Sequence, residues 1–262
     1  WLNRKTNACG EDLCVPELHS CNAEFIARLM FPLRVKVVVK LAPPIQWRGG
    51  MVSELFKGKG CSSVCDNYRD IMLSNTNCKT FLRTIRYILI PACKNYVSTT
   101  QYGSGLNNGD TGVAHLLIRC IADFASMKNM AKCTLYLDIV AAFATLLRRI
   151  VFDVQEGDEA WLKSLHAAGF TEAEVKDIYD EVCQSLWQTL EVNSVCIALM
   201  TCMYQYTWAS SEGLSGVIHT RTGSCAGTPV ADLMYVVAIS KVIFKLRKHM
   251  FTELIYKQLS WY

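Results

Sequence analysis

The stretch Cys133-Thr134-Leu135-Tyr136-Leu137-Asp138-Ile139-Val140-Ala141-Ala142-Phe143 changes its period at the carboxylate. Before it, apolar Cys133, Leu135 and Leu137 alternate with Thr134, Tyr136 and Asp138, the two-residue period of a strand with one apolar face and one face ending in an acid. Beyond Asp138 the run IVAAFATLLRRIVF reads as a turn into a helix. Two roles fit Asp138: a helix N-cap, or a hard oxygen ligand at the end of a strand.

Working outward, Gly103 to Gly112 is rich in Gly and Asn and reads as a loop. A helix can start at Asp110, with Val113, Leu116, Leu117, Cys120, Ile121 and Phe124 as its apolar stripe. Upstream, Val35, Val37 and Val39 alternate with basic residues, which predicts a strand over Arg34–Lys40 stopped by Pro43-Pro44. A second strand is expected over Met51–Phe56, ended by the loop Lys57-Gly58-Lys59-Gly60. The spacing of Phe81, Ile85, Ile88 and Leu89 predicts a helix over Lys79–Leu89 that Pro91 ends. Downstream, Thr171 and Glu174 form a capping-box signature ahead of Val175, Ile178, Val182 and Leu186. Met200–Trp208 and Val217–Thr222 read as strands around a turn at Gly213–Gly216. The loop Gly223-Ser224-Cys225-Ala226-Gly227 leads into a helix from about Val230 to Leu246.

With 262 residues and 51% hydrophobic content, the chain can bury a substantial core. Its longest apolar run, Val195 to Met203, is far too short to cross a bilayer, and no signal peptide opens it, so no membrane partner and an intracellular place, nuclear or cytoplasmic, are expected. Thirteen cysteines, an odd number, point to reduced thiols. Cys9, Cys14, His19 and Cys21 lack the tight knuckle of a zinc site. Charge is segregated: Arg28 to Lys94 holds twelve Lys/Arg against three Asp/Glu, while Asp153 to Glu191 holds ten acids and two lysines. A basic block interleaved with Trp47, Phe56, Tyr68 and Tyr87 suits contact with phosphates; a solvated face balanced by the acidic segment is the other reading.

Four segments in order resemble the reverse-transcriptase domain of non-LTR retrotransposons. Pro44-Ile45-Gln46-Trp47, the Lys57–Gly60 loop and Asn67-Tyr68-Arg69-Asp70-Ile71 look like that family's fingers. Gln101-Tyr102-Gly103 with Gly109-Asp110-Thr111 is similar to its next segment and following helix. Leu137 to Phe143 looks like the strand end carrying the first metal ligand, and Gly223 to Asp232 like the glycine loop. The match covers roughly residues 43 to 250. The resemblance implies an α+β right-hand polymerase fold: a cysteine-rich flank over 1–27, fingers over 28–110, and over 111–262 an incomplete palm with an antiparallel sheet. It implies RNA-directed DNA polymerisation with an RNA template, a DNA primer and deoxynucleoside triphosphates as partners.

The same resemblance assigns roles. Asp138, with the Ile139 carbonyl, would hold Mg²⁺ of a two-ion site. Lys57, Lys59 and Arg69 would pair with the triphosphate, and Phe143 would pack under the sugar. Ala226 and Gly227 would line the nucleotide, glycine allowing close backbone approach. Three positions depart from the pattern: Ala226 replaces a Gln, Asp70 a Pro, and Ala144 an Asp or Ser. A Tyr-x-Asp-Asp segment does not follow the glycine loop, and Tyr179-Asp180-Glu181 precedes it in a helical pattern. Starting at Trp1 and stopping at Tyr262, the chain is expected to be cut at both ends and inactive alone. The alternatives are a catalytically dead nucleic-acid-binding remnant and an interaction protein whose segments match by coincidence.

Overall fold

Short apolar runs between glycines and caps build one small, partly exposed sheet alongside a set of helices, in a computed structural model that describes residues 9–259 apart from 108–110, 135, 137, 140, 153 and 185. The chain opens with α1 (Pro16–Cys21) and α2 (Ala23–Lys40), then a 3-10 turn over Ile45–Trp47. Strands β1 (Gly49–Phe56) and β2 (Tyr68–Ser74) form a hairpin followed by α3 (Thr76–Tyr96) and α4 (Thr111–Met127). Helices α5 (Arg148–Val151), α6 (Asp158–Ala167), α7 (Glu172–Val182), α8 (Leu186–Thr189) and α9 (Ser194–Tyr204) precede β3 (Thr207–Ser211) and β4 (Ile218–Thr220). Helix α10 (Ala231–Leu259) closes the order. The strands lie β2-β1-β3-β4, so one sheet joins a hairpin from before residue 110 to a hairpin from after it.

The core lies among the helices. From α3, Phe81, Leu82, Ile85 and Leu89 are buried with Leu233, Met234 and Val237 of α10 and with Leu199, Met200 and Met203 of α9. Phe152 stacks on Tyr204 with centroids 4.8 Å apart and on Trp187 at 6.2 Å. Each such side chain contributes roughly 1.5–3 kcal/mol by leaving water. Arg86 of α3 spans three elements: it donates to the Pro229 carbonyl at 2.6 Å, to both Asp232 oxygens at 2.5 and 3.0 Å, and to the Ser104 carbonyl at 2.8 Å. The capping box at the start of α7 forms with both of its hydrogen bonds.

The mixed α+β class holds, with five corrections. The sheet is mixed, because β1 runs parallel to β3 while the two hairpin pairs are antiparallel. Arg34–Lys40 is the end of α2. Its Asn22 cap accepts from Phe25 N–H, and only Val37 of the three alternating valines turns into the core, with Val39 71% exposed. Met200–Tyr204 belongs to α9, capped by Asn193, and the strand starts only at Thr207. Helix α3 passes through Pro91 to Tyr96; Pro91 sits on the exposed side, where the carbonyl of Tyr87, itself 74% exposed, can take water in place of the missing N–H. In Cys133–Asp138 the described residues form no strand and are exposed, and Leu135 and Leu137 lie outside the described residues. All thirteen cysteines carry free thiols.

His19 of α1 is buried, and its ring lies 3.7 Å from the Cys14 sulfur. Burial first, then the Arg34 guanidinium, lowers its pKa below the ordinary 6.5, against an opposing pull from Asp12. A histidine held neutral by the fold stabilises it fully above the unfolded value; that contribution is lost as pH falls below 6.5 through the lowered folded value. Urea midpoints should therefore drop on acidification below about 6.5, and His19→Gln should flatten that drop. An unchanged pH slope in the variant would count against this role.

Candidate nucleic-acid interface

The glycine loop is the junction of the molecule. Gly223 N–H donates to the Leu146 carbonyl at 2.8 Å and Ser224 N–H to the Phe143 carbonyl at 2.8 Å, which fastens one end of the loop to the segment after Asp138. At the other end, the Ala226 carbonyl accepts the Met72 N–H at 2.7 Å, so the loop pairs with the edge of β2 that β1 leaves open. The positive φ of Gly223 (+88°) and Gly227 (+102°) makes these turns, and a Cβ on Gly227 would stand 2.6 Å from the Met72 carbonyl oxygen.

Beneath the loop lies Arg148, fully buried in α5. Its Nε donates to the Gly223 carbonyl at 2.9 Å, Nη1 to the carbonyls of Thr220 and Tyr204 at 2.9 and 3.1 Å, and Nη2 to the Thr222 carbonyl at 2.8 Å and Thr220 Oγ1 at 3.3 Å. The guanidinium fork thus satisfies a strand end and two loop carbonyls at once. Next to it, burial pushes the Cys225 thiol pKa up, and Arg148 pulls against that shift. The sequence shows Arg148 only as one of two arginines in an apolar run, a signal too weak to find it.

The Asp138–Phe143 segment borders this junction. The Phe143 and Tyr235 rings lie 5.5 Å apart, and the Tyr235 phenol pKa is raised by burial first and by the Asp138 carboxylate second. Tyr235 is a residue that sequence reasoning missed. Asp138 and Ile139 are exposed and outside any strand. Among the described residues no group of three or more His, Cys, Asp or Glu could hold a metal ion. Asp138 and the Ile139 carbonyl would supply only part of the oxygens that a two-Mg²⁺ site fixes around each ion.

The basic residues stand along the β1–β2 hairpin. Arg69 is exposed on β2 opposite Leu55, three residues from the Met72 contact, or about 10 Å along the strand. Lys57 and Lys59 are exposed at the tip, with Lys57 Nζ donating to the Asp66 carbonyl at 2.5 Å. Glu54 and Asp70 are paired across the same hairpin, so its charge is not uniformly positive. The structure therefore brings Phe143, Ala226, Gly227 and the base of β2 together, with Asp138 at one margin and the three cations along the hairpin leading away.

Among the described residues no helix is long and apolar enough to cross a membrane. No protein-family model and no curated protein matches the chain.

Proposed function

We propose that the chain is the nucleic-acid-gripping part of an RNA-directed DNA polymerase of the non-LTR reverse-transcriptase kind. The observation that carries this reading is the clamp on the glycine loop: two segments of the resemblance meet through Ser224 and Phe143, and the loop also bonds Met72, one residue past a third segment, through Ala226. In this reading Lys57, Lys59 and Arg69 hold phosphates of an RNA–DNA hybrid or of an incoming deoxynucleotide, Phe143 underlies a sugar, and Gly227 lets the backbone approach a base pair. Asp138 and the Ile139 carbonyl would contribute to Mg²⁺ binding in an active parent enzyme. The 262 residues by themselves grip without polymerising, and Mg²⁺-dependent primer extension by this chain would refute that.

The test is fluorescence anisotropy with a labelled RNA–DNA hybrid at several salt concentrations. Affinity should fall steeply with salt, and Lys57→Ala, Lys59→Ala and Arg69→Ala should each reduce the log–log slope by about one. Absent or salt-insensitive binding would sink the proposal. A protein-interaction module is the second reading, favoured by α4, whose stripe stands open with Leu116 at 62%, Ile121 at 60% and Phe124 at 57% exposure.

A further inference from the structure

The sheet carries a second feature at the end away from the basic hairpin. Leu55, opposite Arg69, and Gly49, opposite Trp208, are six residues apart on β1, or about 20 Å. There a cavity of about 450 Å³ opens on the sheet, walled by Trp208, His219 and Tyr206, with Ile45, Val217 and Glu11 around them. That size falls within the range of small-molecule sites.

The walls are held in place. Trp208 lies across Gly49, where a Cβ would meet its indole at 2.5 Å, and its Nε1–H donates to the Ile45 carbonyl at 2.8 Å. His219 is the cross-strand partner of Trp208, so both side chains share one face of the sheet. The His219 ring stacks on Tyr206 with centroids 6.4 Å apart. Glu156 fixes that pair from behind: one carboxylate oxygen meets His219 Nε2 at 3.2 Å and the other accepts the Tyr206 N–H at 3.1 Å. Glu11 accepts a hydrogen bond from Ser210 Oγ at the rim. Among the described residues the lining contains neither lysine nor arginine.

Aromatic faces offer negative quadrupole, and the Glu11 carboxylate in the lining adds charge of the same sign. Phosphate would be repelled here, and a neutral apolar ligand would leave the Glu11 carboxylate unused. We infer that this cavity is a binding site for a small organic cation, an alkylated ammonium whose apolar body fills the aromatic wall while its charge faces Trp208, Tyr206 and Glu11. The site can be tested apart from the nucleic-acid reading, because none of its lining residues is given a role there, although Ile45 and Gln46 belong to a segment of the resemblance.

The probe is choline chloride, titrated into the ¹⁵N-labelled full chain at constant ionic strength, with the Trp208 indole N–H resonance as readout. That resonance is identified among the six tryptophans by its loss in Trp208→Phe. A saturable shift is expected, with the uncharged isostere 3,3-dimethylbutan-1-ol binding about tenfold more weakly. Glu11→Gln, at an exposed position that leaves folding intact, should weaken choline several-fold and leave the isostere unchanged. Equal affinity for choline and its isostere, an unmoved Trp208 resonance, or no effect of Glu11→Gln would each overturn the assignment.

Discussion

Replacing Arg148 with methionine is expected to destabilise the fold by about 3–5 kcal/mol, because buried backbone carbonyls lose their donor. Two effects oppose each other. Removing a fully buried guanidinium relieves its desolvation, which favours the variant. Against that, the carbonyls of Gly223, Tyr204 and Thr222 lose the donor that Arg148 supplies, at about 1–3 kcal/mol for each stranded group. Thr220 keeps a hydrogen bond from Thr207 Oγ1 to its carbonyl at 2.8 Å, so it adds little. Three stranded acceptors outweigh the relief. Arg148→Lys retains charge but has no planar fork, so it should fall between the two proteins. Urea unfolding followed by tryptophan fluorescence measures the loss, and hydrogen exchange of the residue 220–227 amides locates it. A loss below about 1 kcal/mol would mean that the loop carbonyls find water and that Arg148 does not hold them.

What could be read from the sequence was whatever local chemistry decides. The capping box at Thr171 and Glu174 imposed the expected helix, and the strand expected over Met51–Phe56 ahead of the Lys57–Gly60 loop formed as part of β1. The glycine loop followed the same rule, since positive φ at Gly223 and Gly227 is written in the residue type. Errors arose where tertiary context overrode propensity. Three β-branched valines in Arg34–Lys40 promised a strand, but the Asn22 cap twelve residues upstream had already started a helix that carried through them. At Met200–Trp208 a helix stop and a strand start share one aromatic run, and the division at Tyr206, whose φ is +52°, is a backbone event with no sequence mark.

The site was legible in its parts and not in its connections. Phe143, Ala226 and Gly227 were candidates individually, yet their meeting depends on Met72 pairing with Ala226 across more than a hundred intervening residues. No periodicity encodes that contact. Arg148, which bonds the carbonyls of Thr222 and Gly223 where the chain enters the loop, looks in the sequence like a surface residue, since arginine is rarely fully buried. The stripe from Val113 to Phe124 shows the converse: its apolar period did give a helix, but only Ala125 of α4 is buried, because periodicity gives the element and not its partner.

The clamp on the glycine loop can be tested by comparing two glycines that both have positive φ. Gly227, at φ +102°, faces the β2 backbone, with the Met72 carbonyl 2.6 Å from the position of a new Cβ and the Met72 nitrogen at 3.3 Å. Gly105, at φ +67°, has nothing within 4 Å of that position. Gly105→Ala should therefore cost only the conformational strain of an L-residue with positive φ, about 1–2 kcal/mol. Gly227→Ala pays that strain and must also push against a strand whose backbone cannot rotate away as a side chain would. The loop yields first, and the Ala226–Met72 hydrogen bond breaks, for a total of roughly 2–4 kcal/mol. Amide exchange at Met72 should accelerate in Gly227→Ala and stay slow in Gly105→Ala. If the grip on nucleic acid depends on the seated loop, hybrid affinity should fall about tenfold in the Gly227 variant, the equivalent of one lost contact, and remain unchanged in the Gly105 variant. Equal costs in the two variants would show that β2 does not hold the loop. A selective loss of stability with unchanged hybrid affinity would instead separate the clamp from binding and move the nucleic-acid contact to the hairpin alone.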